Sequence, residues 1–122
     1  MFKVVIELFK AIFDDGNFGL FHWEIARLYE YTAEQHIYLG EYDAALDNLD
    51  IAADHYLAYD NHPGGGYTSI MTNRLTFERD KTWSSFKDGL CPYQSNYYSE
   101  DKRFDSLRAD KRFEAVIQKL KG

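Results

Sequence analysis

Apolar side chains recur at three- and four-residue steps through the first half of the chain, a spacing typical of amphipathic helices. The pattern starts in residues 2–13, and residues 14–17 should end it because they contain a glycine and turn-forming side chains. It resumes over residues 20–39, where Gly40 is expected to stop the helix. A third helix is predicted to start near Glu41, and its stripe is the most regular. The apolar positions of that stripe are Tyr42, Ala45, Leu46, Leu49, Ala52, Ala53 and Tyr56.

Residues 60–66 interrupt the helical pattern with a proline and three consecutive glycines, a composition that predicts a Gly-rich loop. A glycine run can cradle phosphate, but it then lies between a strand and a helix and is usually followed by Lys and Ser or Thr. Here a helix is expected before the run and Tyr67 follows it, so we interpret residues 60–66 as a linker.

The C-terminal part, residues 67–122, is expected to be less regular. Residues 68–71 fit either a short helix or an extended segment, and residues 81–87 are expected to be irregular. Pro92 suits the first turn of a helix that carries three tyrosines, and residues 104–108 predict a tight helical turn. Asp110 is a good N-cap for a last helix from Lys111 to about Leu120. The inner face of that helix is predicted to be Phe113, Val116, Ile117 and Leu120.

The junction at Gly40 and Glu41 leaves too little chain for the second and third helices to do anything but pack antiparallel. With 122 residues, the chain has the length of one domain. The sequence therefore predicts a single all-α domain over residues 1–122, with an antiparallel helical hairpin at its centre.

This hairpin resembles a tetratricopeptide repeat, whose unit is two helices in about 34 residues. Residues 40–46 are similar to the interhelix turn and second-helix start of that family. Ala33 stands at the small position of the first helix, and Tyr29 takes the place of the large aromatic. The small, large, small positions of the second helix are filled by Ala45, Leu49 and Ala52. The resemblance implies an α-α superhelix type of fold whose first helices line a concave binding side.

A second resemblance covers residues 104–115, which are similar to a segment that often closes tetratricopeptide arrays in bacteria. Residues 13–19, the hairpin, residues 67–75 and this closing segment follow one another along the chain. In that order they resemble the C-terminal sensor portion of clostridial-type helix-turn-helix transcription regulators (XRE type). The resemblance implies a regulatory domain of such a bacterial protein or a stand-alone relative. The DNA-binding part of that family has no counterpart in these residues.

Charge and composition exclude several classes of function. The formal net charge is -6 and the chain has no long basic run, so we expect no direct contact with nucleic acid. No stretch approaches the ~18 apolar residues of a membrane span. The single Cys91 cannot form an internal disulfide, which favours a reducing, cytoplasmic location.

Candidate chemistry is sparse along the chain. Three of the four histidines, His22, His36 and His55, lack a second metal ligand at the helical spacing of three or four residues, so we expect no metal and no cofactor. A lone thiol beside a proline, as at Cys91, is typical of a structural cysteine rather than a nucleophile. No motif supports catalysis, and we expect the domain not to be an enzyme.

The best candidate for function is a surface of the second helix. Five side chains follow steps of three and four and are expected to face away from the third helix. Arginine can bind a carboxylate through two hydrogen bonds, and tyrosine can pack against an extended peptide. We therefore expect a peptide or protein partner there; the alternatives are a solvated face and a structural domain that serves to oligomerise. The candidate partner-binding residues are Arg27, Glu30, Tyr31, Glu34 and Tyr38.

Overall fold

The fold comes from a computed structural model that describes residues 2–62, 65–77 and 90–122. The described chain is mostly helical, which confirms the all-α prediction at this level. The described residues also form two short 3₁₀ helices, Gly19–Phe21 and Lys102–Leu107. The α-helices are α1 (Phe2–Ile12), α2 (His22–Tyr38), α3 (Tyr42–Asn61), α4 (Leu90–Glu100) and α5 (Lys111–Lys121).

Glycine ends the helices where the sequence predicted it. Gly40 has a φ of 76°, a left-handed conformation that costs glycine no steric strain. Its N–H donates to the carbonyl of Ile37 at 3.0 Å, and the N–H of Glu41 donates to that of His36 at 2.8 Å. Gly16 closes α1 in the same way, with a φ of 81°. The second helix was predicted to begin at residue 20 but begins at His22, because the two residues before it belong to a 3₁₀ helix.

Helices α2 and α3 form the centre of the core. They are joined by only three residues and pack directly against each other, so they run antiparallel. Small side chains on both helices are fully buried and let the two backbones approach closely. Tyr42, predicted to belong to the buried stripe of α3, is instead 43% exposed; it is the first residue of α3 and stands beside the interhelix turn. The buried seam includes Ala26, Ala33, Ala45, Leu49, Ala52 and Ala53.

The predicted loop at residues 60–66 is shorter than expected at both ends. Asp60 and Asn61 are the last residues of α3. His62 follows as the C-cap, and its ψ of 129° is extended, as expected of a residue that precedes a proline. Gly65–Gly66 pairs with Thr76–Phe77 as a two-residue antiparallel ladder, β1 and β2. Between them, residues 69–74 are turns and bends, so neither alternative for residues 68–71 was right.

The C-terminal part is more regular than predicted. Pro92 lies in the first turn of α4, and the helical turn expected around Phe104 is a 3₁₀ helix. The side chain of Asp110 accepts a hydrogen bond from the N–H of Arg112 at 2.8 Å, which confirms it as the N-cap of α5. Arg108 donates to the backbone carbonyls of three residues at the end of α4, at 2.5–3.1 Å. Those residues are Tyr98, Ser99 and Asp101. The expectation for residues 81–87 lies outside the described residues.

Helix α5 closes the domain by packing on α3. Phe113, Val116 and Leu120 are buried and Ile117 is partly buried against the core, as predicted from their spacing. At the edge of this contact Lys119 pairs with Asp50 at 2.6 Å and with Asp54 at 2.9 Å. No helix in the described ranges has both the length and the apolar composition needed to cross a membrane.

Candidate functional site

A cavity of about 280 Å³ lies where α2, α4 and the second 3₁₀ helix meet. Helix α2 supplies one wall, and the C-terminal part of the chain supplies the other. Four of the lining residues are aromatic, two are arginines, and one is a carboxyl. The lining residues are Trp23, Arg27, Glu30, Tyr31, Tyr93, Gln94, Tyr97 and Arg103. The structure thus places Arg27, Glu30 and Tyr31 of the predicted surface in a concave site.

Arg27 supplies a cation that no carboxylate neutralises directly. Its Nε donates to the hydroxyl of Tyr31 at 3.1 Å, and its guanidinium lies 5.4 Å from the centre of the same ring. This contact holds the exposed guanidinium against α2. Among the described residues, no Asp or Glu lies within ion-pair distance of Arg27, so its charge is open to a ligand.

Glu30 was wrongly predicted to face away from the third helix. Its side chain is 5% exposed and accepts a hydrogen bond from the hydroxyl of Tyr56 on α3. The reason is helical geometry, because Glu30 stands about 60° around the helix from Arg27. It lies within about the same angle of the buried Ala26 and Ala33, so its side chain faces the core. Burial raises the pKa of Glu30 from 4.5 to about 7, although the hydrogen bond from Tyr56 opposes the rise.

Arg103 reaches the cavity from the second 3₁₀ helix and, unlike Arg27, is neutralised. It pairs with Asp101 at 3.0 Å and with Glu34 of α2 at 3.3 Å. It also donates to the hydroxyl of Tyr97, whose ring centre lies 5.3 Å from the guanidinium. This network ties the C-terminal part to α2 and fixes the width of the cavity.

The face of α4 that packs on the hairpin carries buried polar atoms without hydrogen-bond partners among the described residues. They are Oε1 of Gln94, Oγ of Ser95 and Oη of Tyr98. Each such atom costs free energy unless it is paired, so a natural protein rarely keeps three on one helix without a reason. Of the three, Gln94 lines the cavity.

A shallower groove of about 490 Å³ continues from the cavity along the outer side of α2. It contains the other predicted residues, Glu34 and Tyr38, and shares Tyr31 with the cavity. Tyr38 is 90% exposed, so its ring is open to a partner. The remaining lining residues are Phe2, Gln35 and Leu39.

Histidines that are far apart in the sequence meet beside α1. The Nδ1 atoms of His22 and His55 are 3.0 Å apart, and the ring centre of His62 lies 6.3 Å from that of His22. Burial lowers the pKa of both His22 and His55 to about 4, so both rings are neutral at physiological pH. Within residues 2–62, 65–77 and 90–122, no three side chains of the ligating types are placed to hold a metal ion.

Cys91 lies buried at the start of α4, where its N–H donates to Oδ2 of Asp60 at 2.7 Å. Burial, with the hydrogen bond and negative charge of Asp60, raises the pKa of the Cys91 thiol well above its usual range. The thiolate is therefore disfavoured at neutral pH, and with it nucleophilic chemistry at this position.

Several residues that line the cavity were not predicted from the sequence. Tyr93, Gln94 and Arg103 are 55 or more residues from the end of α2 along the chain, and no local pattern signals that they face it. Trp23 could have been predicted from the sequence, because it stands four residues before Arg27 and extends the same helical face by one turn.

Comparison of the chain with protein-family models, with curated proteins and with solved structures gives no match. The resemblance to tetratricopeptide repeats and to helix-turn-helix regulators therefore remains a prediction.

Proposed function

We propose that the chain is a non-catalytic module that binds an extended peptide or a protein segment along the outer side of α2. The observation that carries the proposal is the unneutralised guanidinium of Arg27, which is held by Tyr31 between a cavity and an apolar groove. A carboxylate of the partner would accept two hydrogen bonds from Arg27. The rings of Tyr31 and Tyr38 would pack on its backbone and apolar side chains.

The proposal includes the family relationship. The antiparallel α2–α3 pair, with small residues in its seam and a glycine between the helices, supports a tetratricopeptide-like hairpin. The closing segment around Phe104 packs against it, as the order of motifs along the chain suggests. In this proposal the domain is the sensor part of a bacterial transcription regulator, or a relative of it, and acts in the cytoplasm.

A peptide-display selection on the immobilised chain tests the proposal. The selection should enrich particular peptides from a random-sequence library. Fluorescence anisotropy of an enriched peptide should show that Arg27→Ala binds it at least about tenfold more weakly, since a charge-assisted pair is lost. Glu100→Ala, on the exposed end of α4, is the matched control and should bind like the parent chain. Failure to enrich any peptide, or equal binding by Arg27→Ala, would refute the proposal.

A second candidate function, oligomerisation, is favoured by a different surface. Val4 and Leu8 of α1 are 64% and 58% exposed, and Ile12 extends the stripe by one more turn. Self-association would bury it. Light scattering should then show a dimer or larger species that Leu8→Glu reduces to monomers. A monomeric parent chain would rule out this candidate and leave the peptide proposal standing.

A further inference from the structure

We propose that the cavity between α2, α4 and the second 3₁₀ helix binds a free α-amino acid with an apolar side chain. Its carboxylate would lie on Arg27, its ammonium on Glu30 and Gln94, and its side chain among the aromatic walls. This ligand is a small molecule, and the inference therefore goes beyond the peptide module proposed above.

The charges of the cavity are complementary to a zwitterion. Arg27 and Glu30 carry opposite charges in one cavity, yet they do not form an ion pair with each other. They stand three residues apart on α2, with their Cβ atoms about 5–6 Å from each other. An α-amino acid holds its two charges next to each other on one carbon, so it can pair with both residues at once. Because the ligand is neutral overall, it adds no net charge to a partly buried site.

Two of the residues that line the cavity, Glu30 and Gln94, supply acceptors of the kind that an ammonium group requires. Gln94 is 7% exposed, and its Oε1 has no hydrogen-bond partner among the described residues. Glu30 has one oxygen that accepts from Tyr56, which leaves the other for a ligand. Because Oε1 of Gln94 is itself sealed from solvent, the amide has to turn toward the cavity when the ligand binds. An ammonium has three N–H donors and would then satisfy both acceptors, which removes the cost of the unpaired amide.

The size and the walls limit the rest of the ligand. A volume of about 280 Å³ lies at the lower end of small-molecule sites, so the ligand is small. Trp23, Tyr93 and Tyr97 line the cavity with ring surface. An apolar or aromatic side chain would pack there, whereas a charged side chain would lose its hydration without a partner.

The ionisation of Glu30 gives the proposal a distinctive pH dependence. The charged and titratable groups that face Glu30 are Arg27 and Glu34 of α2, Tyr56 of α3, Tyr97 and Tyr98 of α4, and Arg103. Burial raises the pKa of Glu30 to about 7. An ammonium binds the ionised carboxyl, which is about ten times more populated at about pH 8 than at about pH 6. Affinity should rise by about tenfold over that range.

Isothermal titration calorimetry with L-phenylalanine and L-leucine tests the site. N-acetyl-L-phenylalanine lacks the ammonium and L-phenylalaninamide lacks the carboxylate, so each should bind about tenfold more weakly or worse. Glu30→Gln and Gln94→Leu should weaken binding of the parent ligand, and Glu30→Gln should abolish its pH dependence. Tyr38→Ala lies in the groove outside the cavity and should leave amino-acid binding unchanged, although it should weaken a display-selected peptide.

Three results would overturn the inference. The first is that neither L-phenylalanine nor L-leucine binds at millimolar concentration. The second is that a blocked derivative binds as tightly as the free amino acid, which would make the cavity a site for a single charge. The third is an affinity that falls as the pH rises. None of them bears on Tyr38 and peptide binding, so the two proposals fail separately.

Discussion

Replacing Glu30 by glutamine should make the domain more stable, and more so as the pH rises. Glutamine has the same shape and can still accept the hydrogen bond from Tyr56, but it cannot ionise. Because burial raises the pKa of Glu30 from 4.5 to about 7, the folded state favours the protonated carboxyl. The contribution of Glu30 to stability is therefore fully present below about pH 4.5 and is lost as the pH rises through about 7.

The size of this effect follows from the two pKa values. Ionisation of Glu30 lowers the free energy of unfolding by about 1 kcal/mol at about pH 5 and by about 3 kcal/mol at about pH 8. The free energy of unfolding of Glu30→Gln should thus exceed that of the parent chain by about 2 kcal/mol more at the higher pH than at the lower. Since His22 and His55 titrate in both proteins, their contributions cancel in this difference.

Urea unfolding followed by circular dichroism at both pH values measures the difference. Glu24→Gln is the matched control, because it makes the same change on the same helix at an exposed position. Its effect should stay within about 0.5 kcal/mol at either pH. A stability difference between Glu30→Gln and the parent chain that does not change with pH would contradict the buried, weakly ionised state of Glu30.

Two further predictions concern the scaffold that holds the cavity. Leu49→Ala, in the fully buried seam of the hairpin, should lower the free energy of unfolding by about 3 kcal/mol. Ile51→Ala, 38% exposed on the same helix, should lower it by less than about 1 kcal/mol, and equal losses in urea unfolding would contradict the described seam. Arg108→Met should cost about 2 kcal/mol because three carbonyls at the end of α4 lose a charged donor. Lys102→Met on the neighbouring 3₁₀ helix is its control, and a loss no larger than the control's would argue against the cap.

The helices could be predicted from the sequence because their signals are local. Periodic apolar positions, Gly16 and Gly40 as stop residues, and Asp110 as a cap all act within a few residues of one another. The regular helix α4 was harder to predict, because its side chains alternate between tyrosine, serine and asparagine and give no clear apolar stripe.

The site could be predicted only in part. Arg27 and Tyr31 were found because they share one helical face, and Tyr38 because it continues that face. The buried position of Glu30 was missed since a carboxyl is ordinarily assigned to the solvent side, and its partner Tyr56 lies 26 residues away. The contact between His22 and His55 was not predicted either, because contacts between helices depend on how the helices pack and cannot be inferred from local spacing.

Helix α2 is the proposed binding helix, and amide chemical-shift mapping of the isotope-labelled chain with a display-selected peptide tests that assignment. The largest shifts should cluster along α2 from Arg27 to Tyr38 and on Phe2, while α5 on the far side of α3 should change little. Shifts centred on α5, or spread evenly over the chain, would contradict it.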